Sequence, residues 1–155
     1  MEIPDLVRDA WQQYKRMLSE EAWRFYLAAI SASPDPAEAQ VIVAHLEGKL
    51  AGTVTLYLKM PASAKEGWPR DWAGMRLLAV HPEYRGHGIG RALVNECISR
   101  CRENGPPAIA LHTSKEMIVA RRIYESAGFR RMPVYDFKPL PDLLILAYRL
   151  DLVNA

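Results

Sequence analysis

The stretch Val80-His81-Pro82-Glu83-Tyr84-Arg85-Gly86-His87-Gly88-Ile89-Gly90-Arg91 constrains this chain more than any other. It follows an apolar run, Met75-Arg76-Leu77-Leu78-Ala79-Val80, that reads as a strand. It precedes Ile89, Leu93, Cys97 and Cys101, which form one apolar stripe at helical spacing from about Gly88 to Glu103. A strand, a glycine-rich turn and a helix in that order bring the helix's first N–H groups, which have no intrahelical acceptors, to the end of the strand. Glycine lets the backbone approach a ligand closely, and the helix dipole adds positive potential. Arg85 and Arg91 bracket the loop. The result is an anion site, and a pyrophosphate is its natural occupant. A dinucleotide fingerprint fails, because the sixth position counted from Gly86 is Arg91. The Gly-Lys-Ser or Gly-Lys-Thr of a mononucleotide loop is absent.

Around this stretch the chain reads as a mixed α/β sequence. Apolar residues recur at helical steps from Leu6 to Ile30, and Ser19-Glu20-Glu21 looks like an N-cap that divides the segment into two helices. Val41–His45 and Leu50–Leu58 read as a hairpin turned at Glu47-Gly48-Lys49. A long loop follows, Met60–Gly74, with Trp68 and Trp72 either lining a pocket or pinning the loop to the core. Strand Met75–Val80 and the glycine-loop helix come next, then strand Ala108–Thr113 and helix Lys115–Ser126, closed by Gly128. Arg130–Phe137 and Leu143–Leu150 read as two final strands separated by Lys138-Pro139-Leu140-Pro141-Asp142. The order implies one mixed sheet with helices on its faces.

Composition narrows the function. At 155 residues the chain suits a single domain over 1–155, large enough to bury roughly 70% of its unfolded surface without a staple. Twenty basic residues against eighteen acidic leave a net charge of +2, too little bias for a dedicated nucleic-acid binder. Cys97 and Cys101, a helical turn apart, read as small core residues; no further Cys or His near them completes a metal set. Residues 1–10 lack the basic start and apolar stretch of a signal peptide, and no apolar run approaches the length of a membrane span. The expected address is the cytoplasm, with no metal and no membrane partner.

Two motifs carry a resemblance. Arg85-Gly86-His87-Gly88-Ile89-Gly90 matches the Arg/Gln-x-x-Gly-x-Gly/Ala pattern of the GNAT superfamily, the acyl-CoA-dependent N-acyltransferases. About thirty residues later, Ala120-Arg121-Arg122-Ile123-Tyr124-Glu125-Ser126-Ala127-Gly128-Phe129 resembles the family's second signature, a tyrosine-bearing helix ending in Gly-Phe. The element order from Val41 to Leu150 also fits. The resemblance implies a mostly antiparallel sheet that splays between two parallel strands, here Met75–Val80 and Ala108–Thr113, with helices on both faces.

The resemblance further implies a transferase that uses acetyl-CoA as acyl donor. Arg85, Gly86, His87, Gly88, Ile89, Gly90 and Arg91 would hold the pyrophosphate. Leu78, Ala79 and Val80 would bond the pantetheine arm along the strand edge. Tyr124 would protonate the departing thiolate, and an unperturbed tyrosine is indeed a protonated donor at neutral pH. The acceptor implied is a small primary amine attacking directly. A protein lysine or N-terminus, or a non-catalytic CoA-binding module, stay open as alternatives, as does a homodimer. Trp68, Trp72, Tyr135 and Phe137 are the candidates for the acceptor wall. The strand before the glycine loop lacks the family's frequent Glu base. Asp71, His112 or a relaying water fill that role. Met117 stands where many members carry Asn, and no strand is recognisable before the first helix.

Overall fold

The computed structural model describes residues 2–32, 34–61 and 67–152. Part of the Met60–Gly74 loop, residues 62–66, therefore lies outside the described residues. Helix α1 (Ile3–Trp11) runs into a 3-10 segment (Gln12–Met17), and α2 (Glu20–Ser31) follows. Ser19 caps α2 as its sequence suggests, with Oγ accepting the Ala22 N–H at 3.1 Å. Strands β1 (Gln40–Leu46) and β2 (Lys49–Tyr57) form the hairpin, and β3 (Ala73–Val80) leads into the glycine loop and α3 (Ile89–Asn104). Then come β4 (Ala108–Ser114), α4 (Ile118–Ser126), β5 (Arg130–Arg131), β6 (Phe137–Leu140) and β7 (Leu143–Asp151).

The seven strands form one sheet in the order β1-β2-β3-β4-β7-β5, with β6 also paired to β7. Only β3 and β4 are parallel; the other pairs are antiparallel. On one face α3 and α4 pack Leu93, Val94, Cys97, Ile98, Cys101 and Tyr124 against Val54, Leu56, Met75 and Ile109. On the other, α1 and α2 bring Leu6, Val7, Ala10 and Ile30 onto Ala79, and Trp23 and Tyr26 into a cluster with Leu143 and Ile145. Cys97 and Cys101 are fully buried in the core, and burial pushes their thiols up to about 12 and about 11. Among the described residues no helix is long and apolar enough to cross a membrane.

The β3–β4 pairing stops early. It runs only from Ala73 opposite Ile109 to Met75 opposite Leu111. Beyond it β4 stays on β7 as far as Ser114, while β3 stays on β2 as far as Val80. The two parallel strands therefore part in a wedge. A bulge accompanies the parting. Thr55 opposes Arg76, but Thr53 opposes Ala79, so β3 carries one extra residue. Leu77 takes up the irregularity with φ +56°, a conformation rare for a branched side chain. One extra residue also exchanges the faces of the sheet. Met75 packs with the α3 side of the core, whereas Ala79, four residues on, packs against α1.

The last third of the chain departs from the sequence expectation. Arg130–Phe137 is not one strand: Arg130 and Arg131 pair as β5, Pro133–Tyr135 forms a 3-10 turn, and Phe137 already belongs to β6. Pro133 has no N–H for a ladder. The Asp136 carboxylate instead accepts the Ala147 N–H at 2.8 Å and takes both Arg131 Nη atoms at 2.8 and 2.7 Å. The segment expected to separate the strands, 138–142, mostly belongs to β6, where Pro139 is tolerated because the strand is short and pairs on one side.

Replacing Asp136 by Asn should destabilise the fold by about 1–3 kcal/mol, since it leaves the Arg131 guanidinium without its anion. The hydrogen-bonded Arg131 guanidinium holds the Asp136 carboxyl below the usual carboxylate range. A depressed folded-state pKa gives stability that is complete above the unfolded value of about 4 and lost as pH falls through the folded value. Denaturation of both proteins at pH 7 and in acid should therefore show the gap narrowing on acidification. A constant gap would contradict this role.

Candidate active site

The glycine loop lies at the C-terminal end of β3, as strand geometry requires. A 3-10 turn, Pro82–Tyr84, redirects the chain, and Gly86 and Gly88 then adopt φ +85° and +74°. A Cβ at either would meet no atom within 4 Å, so the space over both is open. Gly90 differs: a Cβ there would come within 3.0 Å of Ile123 Cδ1, so this glycine permits close packing of α3 on α4. The first helical hydrogen bond is from Ala92 N to Gly88 O at 3.0 Å. The N–H groups of Ile89, Gly90 and Arg91 precede it and have no intrahelical acceptor.

These groups floor a cleft of about 380 Å³. Leu78, Ala79 and Val80 line one wall, Val119, Ala120 and Ile123 of α4 another. Of the residues expected to hold a cofactor, all but His87 line the cleft. His87 is exposed, with Nδ1 3.0 Å from the Tyr84 carbonyl. The cleft also has a wall that the sequence did not reveal. Ala10, Trp11, Gln13 and Tyr14 close it from the α1 side. Arg85 Nη2 donates to the Ala10 carbonyl at 3.0 Å, and Trp11 Nε1 donates to the Leu78 carbonyl at 3.1 Å. Tyr14 is one of the apolar residues that recur at helical steps between Leu6 and Ile30, and nothing local in the sequence ties Trp11 to a strand 67 residues later.

A second cavity, of about 300 Å³, occupies the wedge between β3 and β4. Trp11, Tyr14, Leu78 and Ala120 line both spaces, so the cavity and the cleft meet there. Tyr124 lines the cavity beside this junction, nearly buried. Burial, with lesser contributions from Tyr14 and Cys97, pushes its hydroxyl well above the usual tyrosine range. It is therefore a neutral O–H donor throughout the physiological range. Met117 is buried at the start of α4, with Thr113 Oγ1 donating to its sulfur at 3.5 Å.

The aromatic candidates divide. Trp68 and Phe137 line the cavity. Trp72 and Tyr135 stand behind Trp68, with centroids 5.7 and 4.5 Å from it. His112 lies between Trp68 and Phe137, at 4.7 and 5.0 Å, and lines the cavity. Its Nε2 is 2.9 Å from the Tyr135 carbonyl. A carbonyl only accepts, so Nε2 donates, and the neutral ring carries its lone pair on Nδ1. Asp71 is exposed and does not line the cavity. Among the described residues no group of three or more His, Cys, Asp or Glu side chains is placed to hold a metal ion.

Residues 3–129 match the model of the acetyltransferase (GNAT) family. Mycothiol acetyltransferase from Cellulomonas flavigena is 28% identical over 144 residues, 85% of this chain and 40% of that protein. The chain spans 33% to 40% of the length of the first curated relatives it matches. Among solved structures, an acetyltransferase of the GNAT family from Staphylococcus aureus superposes with a TM-score of 0.70 at 20% identity, covering 97% of this chain and 91% of that one. The PaiA N-acetyltransferase of Thermoplasma acidophilum in complex with coenzyme A superposes at 0.65 with 19% identity, covering 93% and 88%. A match across most of the chain, together with the splayed strands and the glycine loop, gives one conclusion: the chain belongs to the acetyltransferase (GNAT) family.

Proposed function

We propose that this protein transfers the acetyl group of acetyl-CoA to the primary amine of a small molecule. The observation that carries the reading is the meeting of two spaces at one wedge: an anion-binding cleft on one side, an apolar cavity on the other, and Tyr124 beside their junction. Acetyl-CoA supplies an activated thioester. The N–H groups from Ile89 to Arg91, with Arg85 and Arg91, suit its pyrophosphate. The wall from Leu78 to Val80 suits the pantetheine arm.

Within the cavity the amine must be neutral to attack. His112, with its lone pair on Nδ1, takes the ammonium proton, directly or through water. Asp71, outside the lining, has no part in this reading. Tyr124 keeps its proton until negative charge develops on the leaving sulfur, then hydrogen-bonds and neutralises it. Trp68 and Phe137 form the acceptor wall, and Trp72 and Tyr135 brace Trp68.

Binding and chemistry separate experimentally. Saturating acetyl-CoA at 100 Kd should raise stability by about 2.7 kcal/mol, read as a higher Tm. A pantetheine analogue without phosphates should do much less. Thiol release across a panel of amines then reads turnover. A Tm shift without release from any amine would leave a CoA-binding module and overturn the transferase reading.

A further inference from the structure

We infer that the acceptor is an α-amino acid with an apolar or aromatic side chain, and that Arg76 binds its carboxylate. The inference rests on the transferase reading above and concerns the cavity's acceptor.

Strand register sets up the site. Gly74 opposes Ala110 and Met75 opposes Leu111 in the last parallel pairs. Arg76 and His112 are the next residues on each strand, at the point where the wedge opens. Met75 and Leu111 belong to the core on the α3 side. Their neighbours Arg76 and His112 therefore face the opposite side, toward α1 and α2. The Arg76 guanidinium lies over the Tyr57 ring, 5.2 Å from its centroid; Tyr57 follows Leu56, a core residue of the α3 side, and so shares the face of Arg76. Both residues line the cavity.

The cavity's charge is one-sided. Among the described residues of its lining, Arg76 is the one Arg or Lys, and there is no Asp or Glu. A polyamine or a basic peptide would bring cations into a low-dielectric space whose lining, among the described residues, holds no carboxylate to meet them. An amine that carries a carboxylate brings its own anion. A guanidinium has five N–H donors in a fork that matches a carboxylate, so it takes such a ligand while keeping another partner. Phe25, Met60, Trp68 and Phe137 make the rest of the wall largely apolar. They favour an uncharged, oily side chain over an acidic or amide one. The volume, near the lower end for ligand sites, suits a molecule of amino-acid size.

The arrangement also orders the substrate. Carboxylate and amine share one carbon in an α-amino acid. Holding the first at Arg76 brings the second to the mouth of the wedge, across from His112, while the side chain turns to the aromatic wall.

The test compares free amino acids with amines that lack the carboxylate or carry it masked. L-Phenylalanine, L-methionine and L-leucine are compared with phenethylamine, L-phenylalanine methyl ester and a phenylalanine-initiated peptide amide. The wild type should acetylate the free acids with kcat/KM at least about tenfold above the others. Arg76→Gln should lower kcat/KM for the acids about 10- to 100-fold, mainly through KM, and leave phenethylamine nearly unchanged. Arg76→Lys should recover part of the loss. Calorimetric titration of L-phenylalanine and phenethylamine into each protein in the presence of CoA asks the same question without turnover. Acetyl-CoA thermal shifts verify that each variant folds. Equal preference for acids and amines, preference for the peptide amide, or an unchanged KM for L-phenylalanine in Arg76→Gln would overturn the assignment. Thiol release with phenethylamine but not with L-phenylalanine would overturn it while leaving the transferase reading intact.

Discussion

Replacing Tyr124 by Phe should lower kcat by roughly 10²- to 10⁴-fold, about 3–5 kcal/mol of barrier, with little change in affinity for acetyl-CoA. The substitution keeps the ring that packs 5.9 Å from Phe129 and 6.3 Å from Tyr148. It removes one hydroxyl from a nearly buried position beside the junction of cleft and cavity. Burial drives that hydroxyl above the usual tyrosine range. Its O–H thus stays protonated as negative charge develops on the leaving sulfur, and it stabilises that charge first by donating a hydrogen bond. Two signatures distinguish an acid from a packing residue. The defect should shrink for an acyl donor with a more acidic thiol, which needs less protonation. It should also persist across neutral pH, since Tyr124 does not ionise there. Full turnover in the variant would make water the acid. Loss of stability and binding together would make the hydroxyl structural.

The second large effect is expected at the glycine loop. Gly88→Val should raise the KM for acetyl-CoA by about 10- to 100-fold. Two costs combine. The residue sits at φ +74°, where an L side chain costs about 1–2 kcal/mol. The new side chain also projects into the open cleft, between the N–H groups and their anion. Gly48 provides the control. It has φ +78° and equally open surroundings, but lies in the β1–β2 turn away from the cleft. Gly48→Val should lose comparable stability and keep its KM. Matching KM values in the two variants would show that the Gly88 effect is strain alone.

Much of this protein is legible locally. The hairpin turn, the Ser19 cap and the buried stripe of α3 each follow from residues a few positions apart, because hydrogen-bond periodicity and side-chain spacing are local properties. The glycine loop is the strongest case. Its conformation depends on glycines where φ is positive, and its anion-binding groups are backbone N–H groups that any helix start exposes. The failure at Arg130–Phe137 is also instructive. Its apolar and β-prone residues read as a strand, but Asp136 replaces a ladder partner with its own carboxylate, and only the folded position of Ala147 makes that bond available.

The sequence by itself determined the order of the elements as far as Gly128, the loop between β3 and α3, and the buried stripe of α3. Tertiary structure alone decided how the site is walled. The bulge at Leu77 arises in a run, Arg76-Leu77-Leu78, with no glycine or proline to announce it. Its effect is to exchange faces along one strand, which local pattern cannot report. Trp11 reaches the Leu78 carbonyl across 67 residues of chain. Arg76 and His112 share one cavity because each follows the last paired residue of its strand, where the two strands separate. Periodicity records which side chains are buried. It does not record which distant strand they will meet, since that is fixed by packing between elements and not by the spacing within one.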